Sequence, residues 1–400
     1  MYRTGFGDCF LITLGTAEDA RHVLVDFGAH MHGEIGTMPG VMANIEETTK
    51  KKLSVLVATH RHRDHISGFG QFADRFGGFD IGEVWMPWTD DPKDPDAASL
   101  NAKHLALYAT LEQHLAAVKA TGPVARAARA ALQNLAGNDK ATTELARGFG
   151  TGATIRYLKA GQSFDKVGDV GGLSAQVLGP PGDKAFLSRM NPPADQHFLT
   201  GPGDTRRGAR PFPGYELHVD EADFKQAVAA NQPVASASDV KALKHSAENP
   251  ASRLALFLDS VRNNTSLVIV FRYKGKTLLF PGDAQWGNWQ SWIGTPAAKA
   301  LLAEVDFLKI SHHGSENATP VDVVNDLRAN GLAAMVSTQI TPFPTIPRIP
   351  LLDAIQQHCE GHILVRSDWI DVDKAPKAPK AMPPLPTAFK PGDLWFDCSL

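Results

Sequence analysis

Short apolar runs recur along the chain, separated by mixed segments with helical periodicity. The runs "CFLITLG", "HVLVDFG", "LSVLVATH", "EVWMPW", "LSAQVLG", "SLVIVFRY", "TLLFPGD", "VDFLKISHHG", "AAMVSTQ" and "HILVRSD" predict strands. Several are wholly apolar over four to five residues, the pattern of strands buried on both faces. Many end at Gly, His or Asp, so polar residues gather at strand ends. Helical periodicity marks "NIEETTKKK", "PLLDAIQQHCEG" and "VDVVNDLRANG", the last with Pro320 ahead of it and Gly331 as its stop. Strands alternating with helices predict an α/β architecture.

Two stretches break the alternation. An insertion at about 91–150 is Ala- and Leu-rich between 97 and 135 and predicts helices broken at "TGP", with a structural role. A second, at 184–260, joins the loop-like "MNPPADQHFLTGPGDTRRGARPFPGYE" to the helical "DVKALKHSAENPASRLALFLDSV". A loop of that length reads as a lid or binding element. Residues 1–372 read as one domain carrying both insertions, and the Pro-rich segment 373–400 as a mobile tail or surface strap.

Composition narrows the function classes. A 43% hydrophobic content is that of a globular core and excludes wholesale disorder. Forty basic against 43 acidic residues give a formal charge of −3, so no global field attracts polyanions and any nucleic-acid contact needs a local basic patch. No apolar stretch approaches the roughly 20 residues of a membrane span, and no signal-peptide pattern is present. Cys9, Cys359 and Cys398 are isolated thiols without metal-ligand spacing, which fits a reducing compartment. The expected location is cytoplasmic, with no membrane partner.

The chemistry concentrates in "ATHRHRDHISGF", residues 58–69. With 15 histidines in the chain, His-x-His-x-Asp-His has chance odds of roughly one in a thousand, so the cluster points to metal. If the strand "LSVLVATH" stays extended through His60, then His60 and His62 project to one side and can share an ion. Asp64 and His65 follow at a turn and offer the hard and borderline donors of a second divalent ion. Glu at position 62 would suggest a diiron redox site; imidazole there favours a hydrolytic pair.

This stretch resembles the His-x-His-x-Asp-His signature of the metallo-β-lactamase superfamily, and the likeness continues in order along the chain. "GFGDCFLITLG" and "VLVDFGAH" resemble that family's first strands, with Asp8 and Asp26 at the expected turns. "NNTSLVIVFRYKGKTLLFPGDAQ" resembles its later hairpin ending in Gly-Asp, and "VDFLKISHHGSENAT" its final strand and histidine. The His-His-Gly-Ser version is similar to the ComEC-like competence-protein subgroup and to phosphorylcholine esterases. The resemblance implies an αββα sandwich of two mixed β-sheets flanked by helices. It implies two divalent ions, zinc first with manganese or iron as alternatives. Metal one would take His60, His62 and Asp283; metal two would take Asp64, His65, Asp283 and His312. Asp283 would bridge, and a hydroxide between the ions would be the nucleophile.

One departure matters. The family's "Thr-Pro-Gly-His" turn has its nearest equivalent here in "VLGPPGD", with no histidine. Asp183, His197, His218 or His245 could complete the first ion's shell. Asp64 and His313 are the candidate catalytic residues, His313 being either an alternative ligand to His312 or a proton donor to the leaving group. Asp26 and Asp8 are candidates for orienting the ligands, Asp26 by fixing an imidazole. Ser315, Asn317 and Thr319 are placed to bind substrate oxygens or to form a solvated turn. Arg206, Arg207 and Arg210 suit phosphate recognition or a solvated loop. Trp85 reads as core and Trp88 as core or cleft wall. The implied activity is metal-dependent hydrolysis of phosphodiesters, DNA or RNA included. A lactonase or amidase on the same site, or a metal-bound interaction module, are the alternatives.

Overall fold

The apolar runs form strands, and burial on both their faces dictates the layering. A computed structural model describes residues 1–16, 18–32, 36–117, 123–135, 138–198, 261–339, 343, 346–369 and 382–400. One sheet orders the strands Phe10–Leu14, Arg21–Val25, Lys52–Val57, Asp80–Pro87 and Thr154–Leu158, the first pair antiparallel and the rest parallel. The other runs Leu364–Arg366, Ala333–Val336, Phe307–Lys309, Lys276–Phe280, Val268–Tyr273, Ser174–Gly179 and Ser163–Phe164. Its first four strands are parallel and the later ones antiparallel, so both sheets are mixed.

Alternating side chains explain how the sheets meet. Val23, Val25, Val55, Val57 and Trp85 of the first sheet share a core with Val177, Ile269, Phe271, Phe280 and Met335 of the second. The opposite faces carry helices. Leu24, Leu56 and Val84 pack on Val41, Ile45, Ile66 and Phe69, from the helices Met38–Thr49 and Arg63–Gln71. Val270, Leu279 and Leu308 pack on Leu302, Val324 and Leu352, from the helices Pro296–Ala303, Val321–Asp326 and Ile349–Gln356. Two large mixed sheets flanked by helices result. Trp85 is a core residue, its Nε1 donating to Glu83 at 2.7 Å; Trp88 packs with Ala97 and Leu187 and donates to the Pro181 carbonyl at 3.1 Å.

The first insertion is helical, as its composition predicts, with Pro95–Ala117 and Pro123–Leu135. Pro at the first helical position suits both starts, since its missing N–H has no intrahelical partner to lose. Residues 382–400 are a strap. Phe389–Pro391 pairs antiparallel with Phe396–Cys398, and Phe389 and Phe396 enter the inter-sheet core. The Met1 amino group donates to the Phe396 carbonyl at 2.9 Å, so the described end of the tail is tied to the chain's start. Each buried Phe contributes about 1.5–3 kcal/mol to holding it there. Among the described residues no helix is long and apolar enough to cross a membrane. Cys9, Cys359 and Cys398 are free thiols.

Candidate metal centre

Parallel strands deliver their C-terminal ends to one edge, and the candidate residues follow those ends. Asp26 follows Arg21–Val25, His60 and His62 follow Lys52–Val57, Asp283 follows Lys276–Phe280, and His313 follows Phe307–Lys309. Asp8 precedes an antiparallel strand, which starts at this edge. Backbone bonds pin the loops together: Asp26 N–H donates to Val57, Asp8 N–H to Asp64 and Phe27 N–H to His65, each at 2.8 Å. Gly28 makes the last approach possible, since a Cβ there would lie 2.4 Å from the His65 nitrogen. Asp26, His312 and His313 all have positive φ (56°, 46° and 54°), strain of a kind that persists where surrounding contacts enforce it.

The strand ends at Val57, three residues before the extended reading through His60 predicts. His60 lies in the following loop and His62 precedes the helix Arg63–Gln71, so Asp64 and His65 occupy its first turn. The two imidazoles still converge, through loop geometry rather than strand alternation. His60 Nε2 is 3.0 Å from His62 Nδ1. Two nitrogens on a tetrahedral zinc would sit about 3.4 Å apart, given Zn–N of about 2.0–2.1 Å. Burial holds His60 well below its ordinary value and takes His62 down to about 3, so both are neutral, the form that ligates.

Beside this pair, ligand atoms of Asp64, His65, Asp283 and His313 all lie within 4.8 Å of one another, and every one of these residues is buried. His65 Nε2 is 3.0 Å from Asp283 Oδ2; His313 Nε2 is 3.0 Å from Asp64 Oδ2 and 3.4 Å from Asp283 Oδ2. The far nitrogens are held. His65 Nδ1 donates to Asp26 at 2.8 Å and His313 Nδ1 to the Ser337 carbonyl at 2.9 Å, which turns both Nε2 atoms inward. Asp26 is itself fixed by the Thr59 N–H and hydroxyl, both at 2.7 Å.

His313, and not His312, joins this group. His312 Nε2 faces the Asn263 amide at 3.2 Å and its Nδ1 faces that of Gln285 at 3.3 Å, while burial lowers it to about 4. Consecutive left-handed residues swing the two rings apart, so adjacency in sequence does not mean a shared direction.

The electrostatics suit a cation. Burial pulls His65 down and Asp64 up. The carboxylates of Asp283, Asp26, Asp64 and Asp8 nevertheless raise His65 well above its ordinary value, and His65 with His313 lowers Asp64. Burial likewise opposes the protonation of His313, which Asp283 and Asp8 raise to about 10. These protonated rings balance the acids, and a divalent ion would take the place of their protons. Among the described residues Asp64 Oδ1 is buried and makes no hydrogen bond, as befits a group shaped for a ligand. Nitrogen and carboxylate donors together fit zinc, manganese or iron.

Lys309 is the functional residue that the sequence reading misses. It is 2% exposed at the end of Phe307–Lys309; its Nζ pairs with Asp8 and with Asp283 Oδ1 at 3.1 Å and donates to the Gly282 carbonyl at 2.8 Å. Asp283 is therefore left with only Oδ2 turned to the imidazoles. The signal was available: one lysine within the otherwise apolar run "FLKI" has to be paired inside. "NNTS" is scaffold as well. Asn264 Oδ1 accepts from Gln285 and Asn288 N–H groups at 3.1 and 3.2 Å, and Ser266 accepts the Asp283 N–H at 3.0 Å.

The remaining candidates stand further off. Asp183 caps Lys184–Leu187 by accepting the Ala185 N–H at 2.9 Å. His197 bonds the Pro192 carbonyl at 2.8 Å and lies 3.7 Å from Glu316. Ser315 donates to Asn317 at 2.6 Å, and Thr319 is buried nearby. Arg206, Arg207, Arg210, His218 and His245 lie outside the described residues.

Glu316, beside this turn, supplies a pH test. Burial raises it from 4.5 to about 7 against the opposing pull of Arg348. A raised carboxyl favours the folded state while protonated, so its contribution is full below pH 4.5 and is lost as pH rises to about 7. Glu316→Gln is expected to be about 1–3 kcal/mol more stable than the parent at pH 8, with the advantage gone below pH 4.5. Urea melts at both pH values check this; equal differences at the two would contradict it.

No protein-family model matches the chain, and no curated protein matches it.

Proposed function

We propose that the protein is a metal-dependent hydrolase with a metallo-β-lactamase-type fold, acting on phosphodiesters, nucleic acid included, with two divalent ions, zinc first. The observation that carries this reading is the juxtaposition of two donor sets at one strand edge: the His60–His62 nitrogen pair and the Asp64–His65–Asp283–His313 group. The His60–His62 pair would hold one ion and the Asp64–His65–Asp283–His313 group another. Bound there, the ions would lower the pKa of water and stabilise the entering and leaving oxygens of a displacement.

The chain's own residues do the rest. Asp26 and the Ser337 carbonyl keep Nδ1 protonated on His65 and His313, so each ring presents Nε2. Lys309 holds Asp8 and Asp283 in place and offsets part of their charge. The layered sheets and the buried histidines keep bulk water from the back of the site, where electrostatic interactions are therefore stronger.

The test is a substrate panel containing a phosphodiester, a phosphomonoester, a lactone, a β-lactam and single- and double-stranded DNA, run on metal-stripped and zinc- or manganese-refilled protein. Phosphodiester turnover that appears only on refilling is expected. Turnover of the lactone or β-lactam alone would overturn the substrate assignment, and metal-independent turnover would overturn the mechanism.

A further inference from the structure

Next to the donor sets lies a cationic cluster that metal binding does not use. Arg61 stands between His60 and His62, and its Nε is 2.7 Å from Asp90 Oδ1, so its charge is paired. Arg262 is different. It precedes Asn263, whose amide faces His312 at 3.2 Å, and its side chain is enclosed, with the residue 7% exposed. Its Nη1 donates to Asn101 Oδ1 at 2.9 Å, yet among the described residues no carboxylate forms an ion pair with it. The nearby acid, Asp90, is already engaged by Arg61. Burial first, and then Arg61, lower Arg262 to about 10 against the pull of Asp90, and burial lowers His62 and His104 as well, with Arg262 adding to both.

The inserted helix Pro95–Ala117 builds the other wall. Asn101 and His104, three apart, lie on one face of it, and Asn101 also donates to the Thr89 carbonyl at 2.8 Å, which fixes its oxygen towards Arg262. Among the described residues His104 Nδ1 is buried without a hydrogen-bond partner. Among the described residues the one side chain that hydrogen-bonds this enclosed guanidinium is a neutral amide, and anchoring a helix needs no buried charge. A positive charge held by a neutral amide is one that an arriving anion would pair with.

We propose that Arg262, aimed by Asn101 and flanked by Arg61 and His104, is the anion-recognition residue of this site and takes a non-bridging oxygen of a substrate phosphate. The identity of that phosphate as a phosphodiester rests on the hydrolase reading; the anion binding does not. A guanidinium suits the task because its planar fork can meet two phosphate oxygens at once. Asn101 is a positioning residue, and the first insertion becomes a specificity element rather than a structural addition.

The experiment measures calorimetric binding of inorganic phosphate to the full chain, as purified and after metal removal, together with kcat and KM for a phosphodiester. Arg262→Gln is expected to weaken phosphate at least about tenfold in both metal states and to raise KM by a similar factor, with a smaller change in kcat. Arg262→Lys should recover part of the affinity. Should Arg262→Gln not fold, Asn101→Ala carries the test: it keeps the charge, releases its aim and is expected to weaken phosphate by about threefold or more. A folded Arg262→Gln with parental phosphate affinity, an Asn101→Ala protein with unchanged affinity and KM, or a parent that binds no phosphate would each overturn the proposal. Absence of turnover with phosphate binding still lost in Arg262→Gln would sink the hydrolase reading and leave the anion site standing.

Discussion

Asp64→Asn and His313→Ala are each expected to lower the proposed metal-dependent phosphodiester hydrolysis by at least about a hundredfold, measured as kcat/KM on refilled protein, while circular dichroism remains that of the parent. Asp64→Asn changes neither volume nor shape and removes only the charge, from a carboxylate 3.0 Å from His313 Nε2. His313→Ala deletes one of the two imidazoles whose Nε2 atoms face Asp283. His312→Ala is the informative contrast. Its ring faces Asn263 and Gln285 outside the group, so its loss should cost about tenfold or less. Equal losses for His312→Ala and His313→Ala would mean that the two histidines are wrongly distinguished.

The second large effect concerns stability. Lys309→Met is expected to destabilise the metal-free protein by about 3–5 kcal/mol, because removing one member of a buried ion pair strands its partners. Here the stranded groups are Asp8 and Asp283, each 1% exposed, and methionine fills the volume without replacing the charge. Refilling with zinc should recover part of that loss, since a divalent ion held by the Asp64–His65–Asp283–His313 group would offset the charge of Asp283. Denaturant melts with and without zinc read this directly. A metal-free Lys309→Met protein within about 1 kcal/mol of the parent would show that the carboxylates are compensated by other groups.

How far the sequence could be read depended on which physical rule governed each residue. Strands such as Lys52–Val57 and Val268–Tyr273 were legible because burial on both faces leaves an unbroken apolar run. The cluster at 60–65 was legible because four titratable groups in one turn have few structural explanations. His312 and His313 were not separable, since two left-handed residues direct their side chains by loop geometry that no alternation rule describes. The pairing of His60 with His62 was anticipated, but on an extended backbone that ends at Val57. Lys309 was hidden in plain composition, a charge inside an apolar strand whose partners lie hundreds of residues away in Asp8 and close by in Asp283. Arg262 was overlooked for a related reason. Its enclosure beside Asn101, of the inserted helix, is set by long-range packing that only the folded chain reveals.

The most direct test of the account is metal uptake by the stripped full chain, followed by calorimetric titration with zinc and elemental analysis of the refilled protein. The account predicts about two ions per chain for the parent, bound in two steps, the weaker at His60–His62 because that pair brings fewer ligands. For the Asp64→Asn, His313→Ala double variant it predicts no more than about one. A parent that takes up no zinc, manganese or iron, or a double variant with parental stoichiometry and affinity, would contradict it.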